Sequence, residues 1–302
     1  MSIEVSFVIP TYHRLKYLEK AIESILLQSF SNVEVIIVDD EPSSKIELKL
    51  VEKYGDKIRY YKNKENLGPG FCRRFGLSVS RGSFIVFMDD DDYYIRDDFL
   101  KKAVRRLKVN QTLAFISFSV NDFFEKEQKI LKPKRLEYDG NISRKKFIKS
   151  FGFKYNKPTS TFTTVFRRSS LIKSGILDVY MLNDTVIYLR SLLEGDAFID
   201  QTIMGNYRHH DNNITKTISI EFIIENIKEK KYISDLLPYN YMYRNYWLYR
   251  QSWYSIAYYI CNHKKNMDIY VLKSWIREQQ TICRFLISSR LYFELFKLYL
   301  KG

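Results

Sequence analysis

Short apolar runs alternate with segments of helical periodicity in the first half of this chain, and this alternation restricts the fold most strongly. Residues 6–10, 33–38 and 83–88 are short runs of mostly apolar side chains. Between the first two, apolar residues recur at helical spacing over residues 15–26. Continuous apolar strands are typical of sheets covered on both faces, and their alternation with helices favours parallel strands. We therefore predict an α/β fold with a doubly wound, mostly parallel sheet flanked by helices.

Four consecutive carboxylates, Asp89–Asp92, follow the third apolar run. Open α/β sheets bind their ligands at the carboxyl ends of the strands, which is where this acidic run is expected to lie. Adjacent negative charges repel one another, and a hard divalent cation with a diphosphate completing its shell would compensate them. A solvated acidic turn is the alternative interpretation, because Asp97 and Asp98 suit the start of the following helix. These residues alone leave both interpretations open.

Polar residues also follow the first two predicted strands, and they are expected to share one crevice with the acidic run. Tyr12 could stack on a base, and Arg14 could meet a phosphate. Asp39 or Asp40 could accept a hydrogen bond from a base N–H. Turn-forming residues are common at strand ends, so the signal lies in their joint occurrence.

The charge of the chain restricts its partners. Among its 302 residues are 49 basic and 35 acidic side chains, which give a net charge of +14. This excess favours a polyanionic partner or an anionic membrane surface. A nucleic-acid-binding protein is one alternative, but the basic residues are dispersed and no RNA-binding motif occurs. We therefore expect no nucleic acid partner.

Three widely spaced cysteines, Cys72, Cys261 and Cys283, form no CxxC pair, which is typical of a reducing compartment. The N-terminus lacks the basic start and apolar core of a signal peptide, and no run of about 18 uncharged apolar residues could span a bilayer. We therefore expect a cytoplasmic protein, either free or held peripherally on the inner face of the cell membrane.

Helical periodicity replaces the strand pattern late in the chain, which predicts an α/β domain over residues 1–217 and a helical, aromatic and basic region over residues 218–302. One predicted helix face contains Met242, Tyr246, Tyr249, Trp253, Ile256 and Ile260. A last helix repeats the pattern with Ile282, Leu286, Phe293, Phe296 and Leu300, beside Arg290, Lys297 and Lys301. Two interpretations stay open: a packed helical bundle, and docking of aromatic and basic side chains on an anionic membrane.

Several ordered blocks give the chain a specific resemblance. They comprise residues 7–14, 28–30, 34–40, 66–68, Arg73 with Gly76, 82–85 and then Asp89–Asp91. In this order they resemble the family 2 glycosyltransferases with a GT-A fold, over roughly residues 3–215. The sequence departs from the family at Cys72, where Ala is usual, and at Arg74, where Asn is usual. Neither residue takes part in the chemistry that the resemblance implies.

The resemblance implies a nucleotide-sugar donor site and a divalent metal, Mn²⁺ or Mg²⁺. Asp91 would be the main metal ligand, Asp89 would face the ribose or a metal-bound water, and Asp92 would support them. A histidine near residue 210 can complete the metal shell in relatives, and His210 matches better than His209; a polar surface loop is the alternative. The residues expected to bind the donor are Pro10, Thr11, Tyr12, Arg14, Asp39, Asp40, Asn66, Gly68, Arg73, Asp89 and Asp90.

Inverting sugar transfer also needs a base that takes the proton of the acceptor hydroxyl. Asn183-Asp184 resembles the acidic pair that precedes a helix in the family. Because the first acid is Asn183 here, Asp184 is the candidate base at that site, with Asp178 and Glu194 as weaker alternatives. A residue at this position could instead cap the helix.

These features predict an inverting glycosyltransferase that uses a nucleotide-diphosphate sugar, with UDP as the default nucleotide from its frequency in the family. The acceptor would be a hydroxyl of a glycan or lipid-linked acceptor in bacterial surface polysaccharide assembly. An inactive relative is an alternative, against which the retained Asp89, Asp91 and Asp184 argue. A nucleotidyltransferase usually has a Gly-rich phosphate loop near its N-terminus, which this sequence lacks.

Overall fold

A computed structural model describes residues 3–131, 138–210, 219–262, 269–277 and 285–291. The chain divides into two compact units, Met1–Asp211 and Asn212–Gly302. The boundary that we predicted after residue 217 lies outside the described residues.

The first unit alternates strands and helices along the chain. Its strands are β1 (Val5–Thr11), β2 (Val33–Asp39), β3 (Ile58–Lys62), β4 (Phe84–Phe87), β5 (Tyr93–Tyr94), β6 (Leu113–Phe124), β7 (Lys129–Leu131), β8 (Gly140–Ile142), β9 (Thr164–Arg167) and β10 (Asp196–His209). Its helices are α1 (Leu15–Leu26), α2 (Ile46–Tyr54), α3 (Gly68–Val79), α4 (Phe99–Val109), α5 (Arg144–Lys149), α6 (Arg168–Lys173) and α7 (Asp184–Glu194), with 3₁₀ turns at Gly55–Lys57 and Ile176–Asp178.

These strands form one sheet in the order β3-β2-β1-β4-β9-β6-β10-β5, with β7 on β6 and β8 on β10. The strands β3, β2, β1 and β4 are parallel. The chain order reverses at β1, which lies between β2 and β4, so the carboxyl ends of β1 and β4 border a ligand-binding crevice. The predicted α/β fold with a mostly parallel sheet is confirmed. The reversed strand β9, antiparallel to both β4 and β6, was not predicted.

Apolar side chains on both faces of the sheet explain why its strands are continuous apolar runs. Val5, Phe7 and Ile9 on β1 belong to a core that includes Leu18 and Ile22 of α1. The opposite face of the neighbouring strand β2 packs against helix α3. Burial on two faces removes the apolar-polar alternation that a strand with one exposed face would show.

The second unit is helical, as the sequence predicts. It contains α8 (Ile220–Leu236), α9 (Tyr241–Asn262), α10 (Ile269–Arg277) and the helical residues 285–291. Ser219 caps α8 by accepting a hydrogen bond from Phe222 N at 3.2 Å. The described residues contain no helix that is long and apolar enough to cross a membrane.

The predicted stripe on α9 is only partly buried. Trp253, Ile256 and Ile260 pack in the core of the unit, whereas Met242 and Tyr246 are 68% and 50% exposed. Tyr249 is partly buried against the same core. In the last predicted helix, Ile282, Phe293, Phe296, Lys297, Leu300 and Lys301 lie outside the described residues.

Candidate active site

The acidic run begins just after β4 and is anchored to the end of β1. Thr11 Oγ1 donates a hydrogen bond to Asp90 Oδ2 at 2.7 Å, and both side chains are buried. Burial raises the pKa of Asp90 to about 7, and the negative charge of Asp91 adds to this shift. Pro10 is buried in β1 opposite Val38 of β2. Both residues lie at the end of β1, where Thr11 anchors the acidic run.

The Asp91 carboxylate contacts both an arginine and a histidine. Arg14 Nη1 donates to Asp91 Oδ2 at 2.8 Å and lies 3.3 Å from Asp90 Oδ1. His210 Nε2 lies 2.8 Å from the same Asp91 oxygen, and the imidazole is 6% exposed. The structure therefore brings together two of the residues that the sequence predicts as metal ligands, although they are 119 positions apart.

Three residues, Tyr17, Glu125 and Arg208, form a contact network beside His210, and the sequence analysis missed Tyr17 and Glu125. The ring of Tyr17 stacks on the imidazole with centroids 5.5 Å apart, and its hydroxyl donates to Glu125 Oε2 at 2.6 Å. Arg208 Nη1 donates to the other oxygen of Glu125 at 2.8 Å, and Arg208 Nε donates to the backbone oxygen of Asp91 at 2.9 Å. These residues lie on α1, after β6 and on β10, so no local motif could have grouped them.

Arg73 links the acidic run to helix α7. Its Nη2 donates to Asp89 Oδ1 at 2.6 Å and lies 3.6 Å from Asp184 Oδ1. Lys157 Nζ lies 3.6 Å from the second oxygen, Asp184 Oδ2. The Asp184 carboxylate therefore has one cation near each oxygen. Arg73 Nε is buried and has no hydrogen-bond partner among the described residues, so it remains available as a donor.

Asp184 does not cap helix α7. The cap is Asn183, whose Oδ1 accepts a hydrogen bond from Val186 N at 3.2 Å. The loop before it packs closely on α3, because a Cβ atom on Gly70 would lie 2.9 Å from Leu182 N. Glycine at this position therefore allows the loop to bring Asp184 towards Arg73. Capping therefore does not explain why an acid occurs at position 184.

The residues predicted to contact the base and ribose lie at the ends of β1 and β2 and at the start of α3. Asp40 Oδ2 accepts a hydrogen bond from Gly68 N at 2.7 Å, and so orders the loop before α3. Asp39 accepts hydrogen bonds from Glu41 N and from the Tyr60 hydroxyl. Tyr12 is 45% exposed. Asn66 is exposed in the loop that Asp40 orders.

Three weaker candidates are not part of this cluster in its observed arrangement. His209 Nε2 lies 2.9 Å from Asp122 Oδ1, and its ring stacks on Phe124. Glu194 is the last residue of α7, about 15 Å along the helix from Asp184 at the usual rise per residue. Asp178 is exposed at the end of a 3₁₀ turn.

The residues at Asp91 suit a divalent cation that binds together with a diphosphate. Across the described ranges, no three His, Cys, Asp or Glu side chains form a preformed metal cluster. Cations that bind with substrate phosphates commonly need only one or two protein ligands, and a carboxylate with an imidazole matches the donor preferences of Mn²⁺. Asp91 and His210 fit this requirement, whereas Asp89 faces Arg73.

Comparison with known proteins identifies the family of this chain. The sequence profile of Glycosyl transferase family 2 matches residues 6–175, which is more than half of the chain. The chain belongs to this family.

Its relatives include a GalNAc(5)-diNAcBac-PP-undecaprenol β-1,3-glucosyltransferase from Campylobacter jejuni. The two are 30% identical over 202 residues, which cover 65% of this chain and 62% of the relative. The chain therefore spans less than two thirds of that relative's length.

Two solved structures share the fold. S. aureus TarS 1–349 in complex with UDP-GlcNAc matches with a TM-score of 0.66 and 17% identity, covering 91% of this chain and 79% of TarS. The mannosyltransferase PcManGT from Pyrobaculum calidifontis, in complex with GDP-Man and Mn²⁺, matches with a TM-score of 0.56 and 13% identity, covering all of this chain and 83% of its own. These likenesses confirm the predicted GT-A fold.

Proposed function

We propose that this chain is an inverting glycosyltransferase that moves a sugar from a UDP-sugar to a hydroxyl of a glycan or lipid-linked acceptor. The observation that carries the proposal is the link from Asp89 through Arg73 to Asp184, with contacts of 2.6 and 3.6 Å. It sets a donor-side acidic run beside a carboxylate that can act as a base. The nucleotide sugars bound to TarS and PcManGT support the donor class. The lipid diphosphate in the name of the Campylobacter relative supports the acceptor class and a role in bacterial surface polysaccharide assembly.

Each group at the crevice has a role in this proposal. Tyr12 stacks on the nucleotide base, and Asp39 accepts a hydrogen bond from its N–H. Asn66 and Gly68 shape the ribose side, while Arg14 and Arg73 direct their N–H groups towards donor oxygens. A divalent cation, Mn²⁺ or Mg²⁺, would be held by Asp91 and His210 and would supply positive charge to the leaving diphosphate.

Asp184 performs the proton transfer. A hydroxyl is a weak nucleophile at neutral pH, so a carboxylate within hydrogen-bond reach accelerates its attack on the sugar. The Asp184 side chain is about one quarter exposed at 26%, which leaves it accessible to an acceptor. Asn183 keeps the start of α7 in place while Asp184 takes the proton.

The Asp184→Asn variant tests this assignment, because Asn keeps the shape of Asp but cannot take the proton. We expect an unchanged melting temperature and UDP affinity, with sugar transfer reduced by roughly 10²–10⁴-fold. The control is Asp178→Asn, at an exposed acid that precedes the same loop. Transfer at the parental rate in Asp184→Asn would show that the base lies elsewhere.

We also propose that the protein is cytoplasmic and associates peripherally with the anionic inner face of the membrane. The last 91 residues, 212–302, contain 14 basic and seven acidic side chains. Lipid-linked acceptors would be reached most directly by an enzyme held at that surface.

A further inference from the structure

Lys157 is a cation at the proposed base that the donor chemistry does not use. Its Nζ lies 3.6 Å from Asp184 Oδ2 and donates hydrogen bonds to the backbone oxygens of Pro158 and Thr159 at 3.0 and 3.3 Å. The ammonium also lies 5.7 Å from the ring centroid of Tyr188. The side chain is 27% exposed, so a ligand can reach it. Two neutral carbonyls and one long ion pair leave much of its charge uncompensated.

The position of Lys157 relative to Arg73 identifies the side of the site that it serves. Arg73 faces Asp184 Oδ1 and also pairs with Asp89 in the donor-side acidic run. Lys157 faces the other oxygen, Oδ2. A base stands between donor and acceptor, because it takes its proton from the hydroxyl that attacks the sugar. With Asp184 as the base, Arg73 marks the donor side because it also pairs with Asp89, and Lys157 at the other oxygen is assigned to the acceptor side.

The sequence around Lys157 is strongly electropositive. Residues 140–177 contain nine basic and no acidic side chains. Some of these have structural roles: Arg144 donates to the backbone oxygen of Leu193 at 2.6 Å, and Arg167 donates to that of Leu113 at 2.9 Å. Because Arg144 contacts the end of α7 while Lys157 contacts its start, this basic segment follows α7 towards the proposed base.

We propose that Lys157 binds a phosphate group which the acceptor carries close to its reacting hydroxyl. A phosphate oxygen accepts charge-assisted hydrogen bonds from an ammonium, and such a pair would hold the hydroxyl near Asp184. The inference rests on the proposed function, because Asp184 as base defines the acceptor side. It narrows the acceptor to phosphate-bearing molecules, for example a saccharide linked to a phosphate or diphosphate.

Inorganic phosphate is the probe, added at constant ionic strength to the full chain saturated with UDP and Mg²⁺ so that the donor site is filled. We expect phosphate to raise the melting temperature of the parent, because a ligand that binds only the folded state stabilises it. Lys157→Arg should keep this response and Lys157→Gln should lose it. Lys146→Gln, at an exposed lysine of the same basic segment, is the matched control and should respond like the parent.

A second measurement needs no variant. We expect phosphate to slow the acetylation of Lys157 by an amine-reactive reagent several-fold, as read by peptide mass spectrometry, with Lys146 unaffected. An equal phosphate response in Lys157→Gln and the parent, or no protection of Lys157, would overturn the proposal. Protection by phosphatidylglycerol vesicles but not by phosphate would also overturn it, in favour of lipid headgroup contact. If only the phosphate proposal is wrong, UDP affinity stays unchanged. A failure of the proposed function would instead appear as loss of UDP binding or as full transfer by Asp184→Asn.

Discussion

Among the described contacts of the acidic run, the Asp91 carboxylate is the one that meets both an arginine and a histidine. One of its oxygens lies 2.8 Å from both Arg14 Nη1 and His210 Nε2. A carboxylate and an imidazole this close can share a cation, and Arg14 can then turn to the phosphates that accompany it. Asp89 and Asp92 lack this combination, since Asp89 pairs with Arg73 and Asp92 accepts hydrogen bonds from Ser160 and from the backbone of Arg208.

Replacing Asp91 with Ala should remove the metal-dependent part of UDP affinity. The physical reason is the loss of the carboxylate that shares the cation with His210. Calorimetric titration of UDP with and without Mn²⁺ checks the result, with Asp97→Ala, an exposed acid beyond the run, as control. If Mn²⁺ strengthens UDP binding equally in Asp91→Ala and the parent, the metal assignment is wrong.

At the scale of single residues, the sequence identified the types of side chain in the candidate site better than it identified their contacts. Asp184 was selected because it matches a family position, and its role as base stays a prediction. The adjacent Asn183 fills the capping role. Lys157, Tyr17 and Glu125 could not be predicted, because they come from separate segments that only tertiary packing brings to the site. Charge alone did not distinguish Lys157 from the other basic residues of its segment.

Among the elements, the contact of α3 with the loop before α7 controls the position of the proposed base. Gly70 lies in the first turn of α3, and an added Cβ would be 2.9 Å from Leu182 N and 3.1 Å from Leu182 O. Both are backbone atoms, so the loop itself would have to move. Because Leu182 is two residues before Asp184, that displacement would be passed to the carboxylate.

Gly70→Ala should therefore reduce sugar transfer more than it reduces stability. Overpacking costs about 1–3 kcal/mol, and the better helix propensity of Ala offsets roughly 0.5–1 kcal/mol of that cost. We expect UDP affinity to change less than the transfer rate, because the added Cβ meets the loop before α7 and not the donor residues Gly68 and Arg73 of the same helix. Steady-state kinetics and thermal unfolding check this, with the exposed Ser78→Ala on the same helix as control. Equal transfer rates in the two variants would show that the contact is not critical.

Helix α8 carries a buried lysine that should make stability depend on pH. Lys230 Nζ donates to Gln251 O at 3.0 Å and to Ser255 Oγ at 2.6 Å, both uncharged. Burial lowers the pKa of Lys230 to about 7, whereas an unfolded lysine titrates near 10.4. Between these values the unfolded chain binds more protons, so the free energy of unfolding should rise with pH and fall again as the pH returns to 7.

Lys230→Met should remove this pH dependence and raise the melting temperature at pH 7, because Met fills a similar volume without a charge to desolvate. Thermal unfolding at pH 7, 8 and 9 checks both effects. Lys228→Met, at an exposed lysine of the same helix, is the control and should follow the parent. A melting temperature of the parent that does not rise between pH 7 and 9 relative to Lys230→Met would contradict this prediction.

The elements also show where sequence periodicity stops being informative. The parallel strands β1, β2 and β4 were predictable, because burial on two faces gives them a continuous apolar pattern. The direction of β9 was not predictable, because its four residues, Thr164–Arg167, contain no pattern that depends on orientation. The direction is set by the pairing of β9 with β4 and β6. On α9 the periodicity identified one face but could not show how far neighbouring helices cover it.

For the molecule as a whole, charge and aromatic residues are unevenly divided between the two units. Residues 212–302 carry a net charge of +7, half of the total, and 12 of the 24 tyrosines. On α9 the exposed Tyr246 and Tyr254 are separated by eight residues, which places them on similar faces of the helix. Exposed tyrosines beside an excess of cations are typical of surfaces that contact the headgroup region of a membrane.

The full chain should therefore bind vesicles that contain phosphatidylglycerol and release them as salt is raised, because headgroup attraction is screened within about 10 Å at 0.1 M salt. Combining Tyr246→Ser with Tyr254→Ser should weaken this binding and leave UDP affinity unchanged. The matched control combines Leu48→Ser with Val109→Ser, at first-unit residues that are 80% and 82% exposed. Sedimentation with anionic and with neutral vesicles measures the difference. If the parent does not sediment with anionic vesicles, or if the control weakens as much as the tyrosine variant, the second unit does not provide the membrane contact.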